Sequence, residues 1–175
     1  MSGRRASDLL VSCLEAEGVP YVFGVPGEET VDLNESLSRS TVRFVPTRHE
    51  QAAAYMADAY GRLTGRAGVC LATLGPGATN LVTGVADAFL DRAPIVVLTG
   101  QGDLERMHKE SHQYIDVMAI MRPITKWNAR VSDPAIIPDP RPGRTIEKRS
   151  SGGPGCMRIS RLRTKARSQA GTWRF

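Results

Sequence analysis

Cysteine is scarce in this 175-residue chain, and long apolar runs are missing. The three cysteines, Cys13, Cys70 and Cys156, are odd in number and far apart, which matches neither a disulfide framework nor a metal-ligand pattern. The longest apolar stretch, residues 93–98, contains a proline. It falls far short of the roughly 20 residues that a membrane helix needs. Asp8, Glu15 and Glu17 interrupt the first apolar segment, so it is no secretory signal. Residues 1–137 hold no repeat and no low-complexity tract. These absences predict a reduced, cytoplasmic protein with no membrane to enter. What is present is a 41% apolar composition, enough for one domain with a sizeable core.

The net charge of +5 does not belong to the chain as a whole. Residues 1–137 carry 13 Lys and Arg against 16 Asp and Glu, whereas residues 138–175 carry 10 against 2. Apolar residues divide as sharply, 63 of the first 137 and 9 of the last 38. A shift that abrupt marks a boundary. The expectation is a folded domain over 1–137 and a disordered basic tail over 138–175, too poor in apolar residues to fold. The tail's arginines could neutralise phosphates, but only Trp173 and Phe175 could stack on bases, both at the terminus. No nucleic-acid partner is expected.

Within 1–137, helical and strand patterns alternate. After Ser7, read as a cap, Leu9, Leu10, Cys13 and Leu14 share one helical face, and Gly18 stops the helix. Residues 21–25, 42–45, 68–74 and 95–99 read as strands, with 124–131 as a fifth. Residues 28–37, 50–63, 79–90 and 115–121 read as helices. Continuous apolar strands alternating with helices predict an α/β fold, a parallel sheet with helices on both faces. In such sheets ligands bind beyond the carboxyl ends of the strands. Three motifs fall there: Gly24-Val25-Pro26-Gly27, Arg48-His49-Glu50-Gln51 and Gly75-Pro76-Gly77-Ala78-Thr79-Asn80. The last could hold an anion on backbone N–H groups, or could simply be a tight turn with close packing. It lacks the Gly-Lys-Ser/Thr ending of a Walker loop. Glu50 opens a helix rich in alanine, too apolar to leave its first turn wholly in water, so a buried carboxyl able to hold a proton is expected.

In this order, Gly24-Val25-Pro26-Gly27-Glu28, Arg48-His49-Glu50-Gln51-Ala52-Ala53 and residues 75–80 resemble the N-terminal, pyrimidine-binding domain of thiamine diphosphate enzymes. Acetolactate synthase large subunits are the most similar. His112-Gln113 with Ile115-Asp116, and Arg122-Pro123-Ile124-Thr125-Lys126, extend the resemblance over about residues 5–137. The histidine before Gln113 looks like the catabolic, flavin-independent branch. The resemblance implies the thiamine diphosphate-binding fold, with thiamine diphosphate as cofactor. It implies that Glu50 bonds a ring nitrogen of the aminopyrimidine and favours its imino tautomer, and that Gln113 reaches toward the reacting carbon. These two are the expected catalytic residues. Val25, Pro26, Gly27, Glu50, Pro76 and Asn80 are the expected cofactor-binding set. The implied reaction decarboxylates a 2-oxo acid such as pyruvate and joins the product to a second one.

The same resemblance places the diphosphate and Mg²⁺ on a second domain, through a Gly-Asp-Gly segment that this sequence does not contain. No metal ligand is therefore expected here, and FAD stays open. The intact family enzyme is expected to be a homo-oligomer, and this chain alone to be inactive and to lack the domain's last strand. One codon choice for residues 155–164, read two bases later, spells a segment similar to that strand, so a shifted reading frame near residue 138 is one account of the tail. His49 reads as structural, Cys70 as an inert small hydrophobe, and His108 and His112 as solvent-exposed. Within the resemblance, another thiamine diphosphate-dependent decarboxylase or lyase stays open; taken without it, the motifs also fit a non-catalytic nucleotide-binding module that is indifferent to Glu50.

Overall fold

Four short runs rich in β-branched and aromatic residues build the sheet: β1 (Tyr21–Gly24), β2 (Arg43–Pro46), β3 (Gly68–Ala72) and β4 (Ile95–Thr99). In the computed structural model, which describes residues 5–106 and 112–137, they pair in the order β2-β1-β3-β4, all parallel. His108, Cys156 and the tail expected to be disordered lie outside the described residues. The helices are α1 (Ala6–Ala16), α2 (Val31–Ser38), α3 (Glu50–Thr64), α4 (Pro76–Asn80), α5 (Val82–Leu90) and α6 (Val117–Met121).

Side chains alternate along each strand and divide the core in two. Phe23, Cys70, Ala72, Ile95 and Val97 point toward Ala53, Ala54, Ala57, Leu81, Val85 and Met121, from α3, α5 and α6 and the junction before α5. Val22, Val69, Leu71, Val96 and Leu98 meet Val11 and Leu14 of α1 and Leu37 of α2 on the other face. The doubly covered parallel sheet is thus the architecture that the continuous apolar strands predicted.

Several local expectations need correction. Ser7 does not cap α1; the cap position is Arg5, and Ser7 lies inside the helix, where its hydroxyl accepts a hydrogen bond from Ser36 of α2 at 3.0 Å. The helix expected over 28–37 begins as a 3₁₀ turn, Glu28–Thr30, and the one expected from 79 begins at Pro76 and is broken at Leu81. No fifth strand forms among the described residues. Pro123 offers no N–H, and residues 122–124 make a 3₁₀ turn. The Thr125 hydroxyl then donates to Met121 O (2.7 Å) and Asn128 Nδ2 to Met118 O (3.1 Å), so the segment is bound to α6 instead of the sheet.

Gly18 ends α1 as expected. At φ +67° it donates to Glu15 O, and Val19 donates to Leu14 O, both at 2.9 Å. Arg92 makes the corresponding turn after α5, at φ +57°, with Ala93 N–H donating to Ala88 O at 2.8 Å. A side chain in the left-handed region is strained, so Arg92→Gly is expected to stabilise the fold by about 1 kcal/mol, read as a raised urea midpoint at constant slope.

Candidate active site

Because the strands are parallel, their carboxyl ends share one edge, and the loops leaving β1, β2 and β3 all emerge there. In the loop after β2, His49 is extended and its Nδ1 accepts from Gln51 N–H at 3.2 Å, which caps α3. Its structural reading is supported. Glu50 follows as the first residue of α3 and is only 9% exposed.

The depth of Glu50 comes from the seating of its helix. A Cβ on Gly68 of β3 would overlap the Ala57 carbonyl oxygen, and one on Gly61 of α3 would overlap the carbonyl of Pro94. On the other flank, a Cβ on Gly84 of α5 would come within 2.6 Å of Ala54 Cβ. Backbone therefore lies against backbone, and Ala53, Ala54 and Ala57 are fully buried. At its far end α3 is tied to α5 by Arg62, whose Nε donates to both oxygens of buried Asp58 (2.9 and 2.8 Å) while its other nitrogens bond Asp87 and Asp91. The hydrogen bond to Asp58 leads the interactions that hold this guanidinium still more firmly protonated than usual.

Glu50 Oε2 accepts from Asn80 Nδ2 at 2.9 Å, joining the start of α3 to the end of α4. Glu50 Oε1 faces Gly77, where a Cβ would stand 3.4 Å from the oxygen. The same Cβ would come within 2.8 Å of Thr73 Cγ2, and a Cβ on Gly27 would overlap Thr73 Cβ. The loop after β1 and the turn after β3 are thereby brought together with Glu50. Val25 is half-buried and Pro26 exposed beside Gly27, and Pro76 is exposed in the first turn of α4. Gln113 approaches from another part of the chain. It is exposed, at φ +55°, and packs on Gly75, whose absent Cβ would overlap the Gln113 carbonyl. Gly75 has φ +56° and ψ −121°, a conformation that only glycine adopts readily. The six residues expected to bind the cofactor and the two expected to be catalytic thus share one edge, but only Glu50 and Asn80 touch through a hydrogen bond.

Thr73 and Glu29 were not singled out from the sequence. Thr73 Oγ1 donates to Glu29 Oε2 at 2.6 Å. The available signal was position: Thr73 is the first polar residue after the apolar run of β3. Cys70, by contrast, is as inert as expected, its thiol pushed up to about 12 by burial in β3. His112 is exposed. Among the described residues no group of three or more His, Cys, Asp or Glu could hold a metal.

The polar side chains gathered around Glu50 are a second carboxyl, that of Glu29, the amides of Asn80 and Gln113 and the hydroxyl of Thr73. Such a set suits the flat, uncharged ring of a cofactor better than a phosphate. Fold and site together define the class, a parallel α/β domain with its polar groups gathered at the carboxyl ends of the strands. The chain belongs to the thiamine pyrophosphate enzymes: residues 4–120 match their N-terminal TPP binding domain.

The chain is 41% identical over 155 residues to the "Probable acetolactate synthase large subunit" of Methanocaldococcus jannaschii, which covers 89% of this chain and 26% of that protein. It is 46% identical over 136 residues to "Acetolactate synthase 2, chloroplastic" of Nicotiana tabacum, covering 77% and 20%. With "Acetolactate synthase, catabolic" of Raoultella terrigena it shares 46% over 126 residues, covering 72% and 22%. The chain spans about a fifth to a quarter of the length of these curated relatives. Among the described residues no helix is long and apolar enough to cross a membrane.

Proposed function

We propose that residues 5–137 form the pyrimidine-binding half of an acetolactate synthase-like active site that acts on a 2-oxo acid such as pyruvate. The observation that carries this reading is the buried Glu50 carboxyl, held by Asn80 at 2.9 Å at the strand-end edge, next to Gly77. When bound, thiamine diphosphate supplies the electron sink for decarboxylating a 2-oxo acid and joining the product to another. Glu50 would share a proton with a ring nitrogen of the bound pyrimidine, while Asn80 fixes the carboxyl by occupying Oε2. Val25, Pro26, Gly27 and Pro76 would line the ring and shield it from water when it is bound. Gln113, held at φ +55° against Gly75, would offer its exposed amide to the substrate. Mg²⁺ and the diphosphate belong to a second domain, and in a homo-oligomer a neighbouring subunit would contribute it. The widely spaced, odd cysteines support a cytoplasmic setting.

The test is titration with thiamine diphosphate and Mg²⁺ of the chain mixed with the diphosphate-binding half of an acetolactate synthase, followed by near-ultraviolet circular dichroism. Saturable uptake that neither half shows alone is expected. Uptake equal to that of the diphosphate-binding half alone would overturn the reading.

A further inference from the structure

Thr73 stands immediately after β3, and its whole side chain is engaged. Its hydroxyl donates to Glu29 Oε2 at 2.6 Å, the short range of an O–H bond to a carboxylate. Its Cγ2 and Cβ fill the spaces that the absent side chains of Gly77 and Gly27 leave. One residue thus touches both glycine turns around Glu50 and is bonded to an acid two positions past Gly27.

The loop it holds is stiff in itself. Thr30 Oγ1 accepts from Gly27 N–H at 3.0 Å and donates to Gly27 O at 2.9 Å, and Asn34 Nδ2 donates to the same hydroxyl at 3.1 Å. Where this stiff loop sits relative to β3 is then set by its outer contacts. Gly100 supports Glu29 from behind, since a Cβ there would stand 3.0 Å from Glu29 Cβ. The polar link to β3 is the Thr73–Glu29 bond.

We propose that Thr73 and Glu29 form a latch that sets the spacing between the Val25-Pro26-Gly27 loop and the Gly77 turn, and so the width of the slot that receives the pyrimidine ring. Thr73 is a positioning residue, acting through the two turns. The proposal rests on the functional reading above, because the slot has a purpose only if the ring binds there.

Three variants separate the atoms involved. Thr73→Val keeps the shape and removes the donor, Thr73→Ser keeps the donor and removes Cγ2, and Glu29→Ala removes the acceptor. Hydrogen exchange in the peptide covering residues 24–31, measured without cofactor, is expected to run about tenfold faster in Thr73→Val and Glu29→Ala and to stay near wild type in Thr73→Ser. In the two-polypeptide titration described above, the Kd for thiamine diphosphate rises about tenfold in the same two variants. The double variant is no worse than either single one, as a shared bond requires. Glu29 is exposed, so its variant carries the test where Thr73→Val folds poorly.

Unchanged exchange in Glu29→Ala, or additive losses in the double variant, overturn the latch. A wild type that binds while Thr73→Val and Glu29→Ala bind equally well overturns the latch alone. A wild type that takes up no thiamine diphosphate overturns the functional reading, and the latch's role with it, whatever the exchange shows.

Discussion

Glu50→Gln is expected to lower turnover by about 10²–10⁴-fold in a catalytically competent protein carrying this segment, the usual range for a positioned acid–base group. The substitution is nearly isosteric, and the amide oxygen of glutamine can still accept from Asn80 Nδ2, which holds Glu50 Oε2 at 2.9 Å. Packing at this 9% exposed position should therefore persist, and the unfolding midpoint should hardly move. What is lost is the capacity to give and take a proton at the ring nitrogen. Steady-state kinetics then show the fall in kcat, with the KM for the 2-oxo acid little changed. Turnover of Glu50→Gln within a factor of a few of wild type would show that the carboxyl does structural work only. Glu50→Asp separates chemistry from reach: it keeps the proton but withdraws the carboxyl by one methylene from both Asn80 and the ring. It should fall between wild type and glutamine.

The fold class was legible because β3 is continuously apolar, Val69-Cys70-Leu71-Ala72, and both of its faces are buried in the structure. Periodicity also located α3, because Ala53, Ala54 and Ala57 recur on one side. The strand expected at 124–131 failed for the converse reason. Its apolar residues suit a sheet, but the hydroxyl of Thr125 and the amide of Asn128 bond carbonyls of α6, and hydrophobic pattern does not report such local competition. Within the site, Glu50, Asn80 and the glycine turns stood out as motifs with a shared strand-end position. The Thr73–Glu29 bond did not, since it joins residues 44 positions apart and belongs to no local pattern. Nor could spacing alone show that Gln113 packs on Gly75, a contact that depends on two left-handed backbone turns meeting.

Gly68→Ala is expected to destabilise the domain by about 3 kcal/mol, at the upper end of what overpacking costs. The new Cβ would overlap the carbonyl oxygen of Ala57 and come within 2.8 Å of its Cα. These are backbone atoms in the middle of α3, so no side-chain rotation relieves the clash. β3 cannot retreat either, because it is paired with β1 on one side and β4 on the other. The helix must rise from the sheet, and its first residue rises with it. Glu50 would then separate from Asn80 and gain exposure, so the variant should lose cofactor affinity as well as stability. Gly65→Ala is the control on the same connection: nothing lies within 4 Å of its Cβ, and its φ of +66° makes its cost a backbone strain of about 1–2 kcal/mol with no displacement of α3. Urea unfolding together with thiamine diphosphate titration distinguishes the two. Loss of affinity in Gly68→Ala but not in Gly65→Ala is the expected result. Equal loss in both would mean that the seating of α3 on β3 does not set the depth of Glu50.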